Sequence, residues 1–431
     1  MITNVRHQNA VGQGFFHSGS LGPCARCSPW VPSITYVYDC GAMNAYSQAR
    51  TREIQSVRQN TPQLDLLFLS HIHADHVNGL RDLLEGLTVD TIVMPLLTVV
   101  ERLLAVTASI SDGASVSGLH VDLAVDPTAA VEQFNPRQIL YIKRTGEERD
   151  SGAPNDGDAP THDGPTGPDG DISWKLVGRG TVTPGNAEAG SEGESPLDAR
   201  SFTVEDVNAL AGTIAGQRLW LFAPYVQPGA INEAQFIDIL ATALSQTPAE
   251  LQRNLRTVAF RRMLITTHVK SLKAAYEAAS KDLNFTSLSL YSGPVRRSNV
   301  VPTVHPGHYE MSAYGWLNVG TYEPSPYGWL GTGDADLLTT KRLTDFVHHY
   351  HGLFDEVGTL TVPHHGSDQN SASPLYESVK PRVCISAADA YRAWRHPASS
   401  VTQAIASAGT ASIVVTSSMP SRFRELCILA H

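Results

Sequence analysis

The stretch Leu64-Asp65-Leu66-Leu67-Phe68-Leu69-Ser70-His71-Ile72-His73-Ala74-Asp75-His76 constrains this chain more than any other. It opens with a nearly continuous apolar run of strand length, the pattern of a strand buried on both faces. Three histidines and an aspartate follow at once. His71 and His73 are two apart, so at a strand end their side chains point the same way. Asp75 and His76 fall on the turn into a helix expected over Val77 to Leu87, where Leu80, Leu83, Leu84 and Leu87 keep helical spacing. Thr91 to Pro95 reads as the next strand. Strand, helix, strand in this order places a site at the carboxyl ends of the strands of an α/β layer. Three imidazoles and a carboxylate so close together are ligands for borderline divalent metals such as zinc or manganese.

The rest of the chain repeats the alternation. Strands are expected at Ile34 to Tyr38, Leu219 to Phe222, Ser287 to Tyr291, Trp329-Leu330, Thr359 to Val362, Arg382 to Ile385 and Ser412 to Val415. Helices are expected at Ala45 to Gln59, Ile231 to Ser245, Pro248 to Arg256, Leu337 to Tyr350, Leu375 to Val379 and Val401 to Ala408. Asp39, His71, Asp334 and His364 each follow a strand, and four such ends on one rim would make a metal site. The other histidines, His348, His349 and His351 among them, read as a solvated helix end.

Charge matters here only once it is located. The formal net charge is -10, yet twelve acids face three bases between residues 145 and 198. The remainder is close to neutral and has room for local basic patches, so a nucleic-acid substrate is not excluded. Residues 145–215, rich in Gly, Pro and Asp, are expected as a partly disordered acidic insertion in a single domain spanning 1–431, with one strand at Ile172 to Leu176. That insertion is also the surface on which a protein partner is expected. No apolar run of spanning length occurs, and the first residues lack a signal-peptide core; no membrane association and a cytoplasmic location are the expectations. The five cysteines do not suggest a disulfide framework, and Cys24-x-x-Cys27 lacks the second pair that a zinc knuckle needs.

The segment His71 to His76 resembles the H-x-H-x-D-H signature of the metallo-β-lactamase superfamily. The resemblance implies a four-layer αββα sandwich, α/β in class, and a two-metal hydrolase. It implies His71 and His73 on one ion, and Asp75 and His76 on the other. Further segments resemble the superfamily's ComEC-type branch, that of the nuclease-like domain of DNA-uptake channels. These are Val11-Gly12-Gln13-Gly14, Tyr38-Asp39-Cys40-Gly41, Thr332-Gly333-Asp334, Pro363-His364-His365-Gly366-Ser367 and His396-Pro397. Where that branch carries an aspartate after V-G-Q-G, this chain has Phe15. By resemblance, Asp334 bridges the two metals, and one of His364 and His365 serves the second ion. Asp39 orients a ligand imidazole, Ser367 lies at the substrate, and His396 contacts the scissile phosphate or acts as general acid. Asp75 and Asp334 hold the attacking water.

One position departs from the pattern. Relatives place a histidine ahead of the strand that precedes T-G-D, and here Asn284 falls at or near it. An amide oxygen is a weaker, harder ligand, which tilts the first site towards manganese or magnesium. His268 is the rival ligand. The implied activity is two-metal phosphodiester hydrolysis on DNA, with Arg296, Arg297, Arg382, Arg392, Arg395, Arg422 and Arg424 as candidate phosphate contacts. The alternatives are hydrolysis of a small ester, lactone or cyclic nucleotide, and a partner-gated component of bacterial anti-phage defence.

Overall fold

The computed structural model describes residues 2–23, 33–146, 152–154, 158, 164–168, 170, 172–185, 200–214, 217–227, 232–279, 286–295, 303–311, 315–317 and 326–430. Its strands form two sheets. The first has the spatial order Gly315–Leu317, Thr303–Met311, Phe423–Ala430, Ile2–Gln8, Phe16–Pro23, Ile34–Cys40, Gln63–Phe68, Thr88–Pro95, Gln138–Lys143, Ser201–Glu205 and Val182–Pro184. From Ile34–Cys40 to Ser201–Glu205 the strands run parallel. The second has the order Ala411–Val415, Val383–Ala387, Val357–Thr361, Gly328–Gly331, Ser287–Pro294, Gln217–Gln227, Asn208–Ile214 and Ile172–Gly178. Its first four strands are parallel and the others antiparallel.

Period-two alternation sorts each strand's side chains between two cores. Tyr36, Tyr38, Leu66 and Phe68 face Trp220, Phe222, Leu290 and Trp329 between the sheets. Val37 and Leu67 point the other way, into a core shared with the helices Val99–Ser111, Glu233–Ala243 and Val269–Ala279. Leu221, Ala223 and Leu360 turn outward beneath Thr340–Tyr350, Ser373–Val379 and Ser399–Ser407. The result is helix, sheet, sheet, helix, as expected of an αββα sandwich. No helix among the described residues is long and apolar enough to cross a membrane.

Several elements differ from the sequence reading. The helix expected over Val77 to Leu87 is two short ones, Ala74–Val77 and Leu80–Leu84. Between them the Gly79 amide donates to the Cys40 carbonyl at 2.8 Å, which pins the turn to the neighbouring strand end. Residues 145–215 contribute four strands, two to each sheet, where one was expected. Ser201–Glu205 pairs in register with Gln138–Lys143, so this stretch is woven into the sandwich. The helices Val258–Thr267 and Val269–Ala279 were not anticipated. His349 is buried against Tyr225 and Tyr350 and is not part of a solvated helix end. Cys40 and Cys384 are buried and free, whereas Cys24 and Cys27 lie outside the described residues.

Two histidines near the chain start are held neutral. Burial, with Arg424 and Arg422 nearby, pushes His7 from 6.5 down to about 4. Burial and Arg6 push His17 well below its ordinary value, where its ring stacks on Trp329 at 4.0 Å. The unfolded chain takes up these protons near pH 6.5, and the folded one does not. Their contribution to stability is therefore full above about pH 6.5 and lost as pH falls towards 4. With EDTA present throughout, the urea midpoint is expected to drop across that window, and to drop less in His7→Gln. Equal drops in the two proteins would refute the assignment.

Candidate metal centre

The site lies where the parallel halves of both sheets end. Asp39 closes the strand Ile34–Cys40 in a left-handed conformation, with φ 56°. It is fully buried, and it accepts the Ser70 amide at 2.7 Å and the Ser70 hydroxyl at 2.5 Å. The same carboxylate accepts His76 Nδ1 at 2.8 Å. His71 Nδ1 meets Ser70 Oγ at 2.8 Å, and His365 Nδ1 donates to the Ala387 carbonyl at 2.8 Å. Each of these imidazoles thus spends Nδ1 on the scaffold and presents Nε2 to the interior. A hydrogen bond on one ring nitrogen fixes which nitrogen is left as donor to a metal.

The glycines around the motif make this packing possible. A Cβ on Gly41 would come within 2.5 Å of the Asp75 backbone. Gly333 combines φ +53° with a place where a Cβ would lie 2.5 Å from Ser287 Oγ. Phe15 follows Gly14, where the resemblance led to the expectation of an aspartate. Its ring stacks on that of His76, with centres 6.0 Å apart, and supplies no donor.

Two donor groups result, His71 with His73 and Asp334, and Asp75 with His76 and His365. Asp334 links them. Its Oδ2 lies 3.4 Å from His71 Nε2 and 3.7 Å from His364 Nε2. Its Oδ1 lies 3.3 Å from His76 Nε2 and 3.9 Å from His365 Nε2. His365 Nε2 is 3.4 Å from Asp75 Oδ2. Two donors each about 2.1 Å from a tetrahedral ion stand about 3.4 Å apart, so these spacings are those of ligands around a cation. Nε2 of His71, His73, His76 and His365, together with Asp334 Oδ1, are buried without a hydrogen-bond partner. Five orphaned polar atoms converging on one place are too costly to keep unless a ligand satisfies them. The donors present fit a pair of divalent cations.

The electrostatics agree. Burial by itself would raise both carboxyls. For Asp75 the neighbouring His76 and His365 outweigh it, and for Asp334 it is His364, His76 and His71; both stay below the usual carboxylate range. Burial and the adjacent His71 push His73 down to about 3, so its ring is a neutral donor.

The remaining expected residues fall at varied places. His364 stands at the rim beside His396, with ring centres 6.0 Å apart, and its Nδ1 meets Asn370 Oδ1 at 2.9 Å. Ser367, expected at the substrate, is buried, and its hydroxyl accepts the Gln369 amide at 3.2 Å. Asn284 lies outside the described residues, as do Arg296 and Arg297. His268 caps the helix Val258–Thr267 and belongs to neither donor group. Arg422 is bound to Glu53, whereas Arg392 and Arg395 are exposed beside the site. Sequence reasoning missed Asn370 and Asp112. The Asp112 carboxyl lines a cleft that also holds His73 and Asp75, and burial with the nearby Asp75 charge pushes it up to about 6. Neither residue follows a motif, so no local signal marks them.

Residues 32–195 match the model of the metallo-beta-lactamase superfamily. Over those residues the chain is similar to that superfamily. The match takes in Asp39 and the whole segment His71 to His76, and it ends before Asp334 and His365. Among curated proteins none matches. A crystal structure of a long form RNase Z from yeast aligns with 84% of this chain and 32% of its own, at 11% identity and a TM-score of 0.28. The chain spans about a third of that protein's length, and at that TM-score the two are too unlike for one to inform the other.

Asp39→Asn tests how the imidazoles are held. Asparagine tolerates the left-handed backbone, but its amide cannot accept from both Ser70 and His76. Metal affinity, measured by competition with a fluorescent chelator, is expected to fall about 10- to 100-fold. Unchanged affinity would show that Asp39 plays no part in orienting His76.

Proposed function

We propose that this chain is a two-metal phosphodiesterase acting on nucleic acid, and on DNA first among its candidates. The observation that carries the reading is the pair of donor groups joined by Asp334, opening onto a rim with two exposed arginines. A pair of bound divalent cations supplies an activated water near neutral pH and offsets charge on an attacked phosphoryl group.

His71 and His73 are assigned to one ion, Asp75, His76 and His365 to the other, and Asp334 to both. His365 is preferred over His364 for the second ion because it is the one grouped with Asp75 and His76. His364 shares an Asp334 oxygen with His71, and so it is the imidazole on hand to make up the first half-site. Asp39 holds His76 in place. His396, at the rim, faces the phosphate. Arg392 and Arg395 hold the flanking backbone as charge partners.

Membership of the ComEC-type branch is part of this proposal. Its support is the convergence of the sequence motifs. Phe15, next to V-G-Q-G, donates its amide to the Asp75 carbonyl at 3.2 Å, and Gly41 packs on the same backbone. The Gly366 carbonyl accepts the Ala398 amide at 2.9 Å, tying P-H-H-G-S to the later H-P.

The test is cleavage of plasmid and single-stranded DNA with manganese or zinc. EDTA is expected to stop cleavage and added metal to restore it. The double variant His73→Ala/Asp75→Ala is expected to be slower than wild type by more than about a hundredfold. A wild-type preparation no faster than the double variant would sink the reading.

A further inference from the structure

The strap from Ala388 to Pro397 lies beside the metal centre, and three rings step along it towards His364. Tyr391 and Trp394 have ring centres 5.5 Å apart, and Trp394 and His396 are 6.0 Å apart. His396 then stands 6.0 Å from His364, whose Nε2 reaches Asp334. Successive rings along the strap are tilted by 51° and 39°, so none lies flat on its neighbour, and the Arg392 guanidinium lies over the Tyr391 ring, 5.4 Å from its centre. Tyr391 and Trp394 are half-buried, and Arg392 and Arg395 beside them are exposed. Neither arginine forms an ion pair among the described residues.

The strap is held in shape before any ligand arrives. The Tyr391 hydroxyl donates to the Asp112 carbonyl at 3.0 Å, and the Tyr46 hydroxyl donates to the Ala390 carbonyl. Asp389 accepts the Ser417 amide at 3.1 Å and its hydroxyl at 2.6 Å. The Trp394 amide donates to the Tyr391 carbonyl at 2.8 Å, and Arg395 Nη1 donates to the carbonyls of Arg392 and Trp394, both at 2.8 Å. Aromatic rings on a braced strap, with exposed guanidinium groups whose charge no carboxylate among the described residues pairs, next to a centre suited to phosphate, are the two halves of a single-strand nucleic-acid site: stacking for bases and charge for the backbone.

We infer that Tyr391 and Trp394 form a stacking platform for an unpaired nucleobase next to the phosphodiester that reaches the metal centre, so that this chain selects single-stranded over duplex nucleic acid. The inference rests on the phosphodiesterase reading for its placement, but it concerns binding. A paired base turns its face to its neighbours in the duplex and cannot use the platform, whereas a phosphate contact is the same in both forms.

The experiment is equilibrium binding by fluorescence anisotropy with EDTA present to prevent cleavage. The ligands are a labelled single-stranded oligonucleotide, its duplex, and an abasic strand of equal length and charge. Wild type is expected to bind the base-bearing strand about 5- to 150-fold more tightly than the abasic one, and more tightly than the duplex. Trp394→Ala, checked for an unchanged melting temperature, is expected to lose that preference and keep its affinity for the abasic strand. Trp394→Phe is expected to retain most of it. Equal binding of base-bearing and abasic strands by wild type, or a preference that survives Trp394→Ala, would overturn the inference. Hydrolysis of bis(p-nitrophenyl) phosphate by wild type, a phosphodiester without a nucleobase, reports the metal reading separately. Base-dependent binding without that hydrolysis leaves the platform standing and removes the phosphodiesterase; hydrolysis without base-dependent binding does the reverse.

Discussion

Buried imidazole nitrogens and carboxylate oxygens that lack hydrogen-bond partners set the terms for the rest of this molecule. Each such atom costs on the order of 1–3 kcal/mol when left unsatisfied, and here five share one place. Their arrangement is maintained from behind. Asp39, Ser70 and the Ala387 carbonyl bind the far nitrogens of His76, His71 and His365, so the rings cannot turn away to find other partners. The scaffold thus keeps these donors facing one another, where a cation between them would satisfy them all. That is how a protein keeps a ligand set organised against its own tendency to relax.

The sandwich delivers this geometry because both sheets contain a parallel half, and parallel strands bring their carboxyl ends to one edge. One sheet contributes Asp39 and the segment His71 to His76. The other contributes Asp334, His364 and His365, at the ends of Gly328–Gly331 and Val357–Thr361. The two histidines of the second sheet are both left-handed, with φ 46° and 59°. For non-glycine residues that conformation costs about 1–2 kcal/mol each. The cost is offset by fixed bonds, among them the His364 amide to the Gly333 carbonyl at 3.1 Å and the Ser367 amide to the His364 carbonyl at 2.9 Å. Strain of this kind persists where a side chain must be aimed, and here it aims two rings to opposite sides of Asp334.

Much of this was legible in the chain, for identifiable reasons. The buried strand before His71 declares itself by its apolar run, and the parallel strands of the second sheet do the same. The motif residues carry their own spacing, and the strand-end positions of Asp39, Asp334 and His364 follow from the alternation. Other features depend on distant partners and leave no local trace. Ser201–Glu205 is a strand because Gln138–Lys143 lies beside it, although the sequence between them has the composition of a loop. Ser367 looks like a rim hydroxyl until the Gln369 amide is seen to claim it. The choice between His364 and His365 turns on two backbone torsions that no residue pattern encodes.

The order of these residues along the chain has a consequence for synthesis. The motif from His71 to His76 and its support Asp39 leave the ribosome early. Asp334, His365 and the strap from Ala388 to Pro397 follow much later. The strand Ile2–Gln8 pairs with Phe423–Ala430, made far later. A nascent chain therefore holds only one half of the site from the synthesis of His76 until that of Asp334, and the strand Ile2–Gln8 waits longer still for its partner. Any hydrolytic activity that needs both halves is in this way withheld while the chain is still being made.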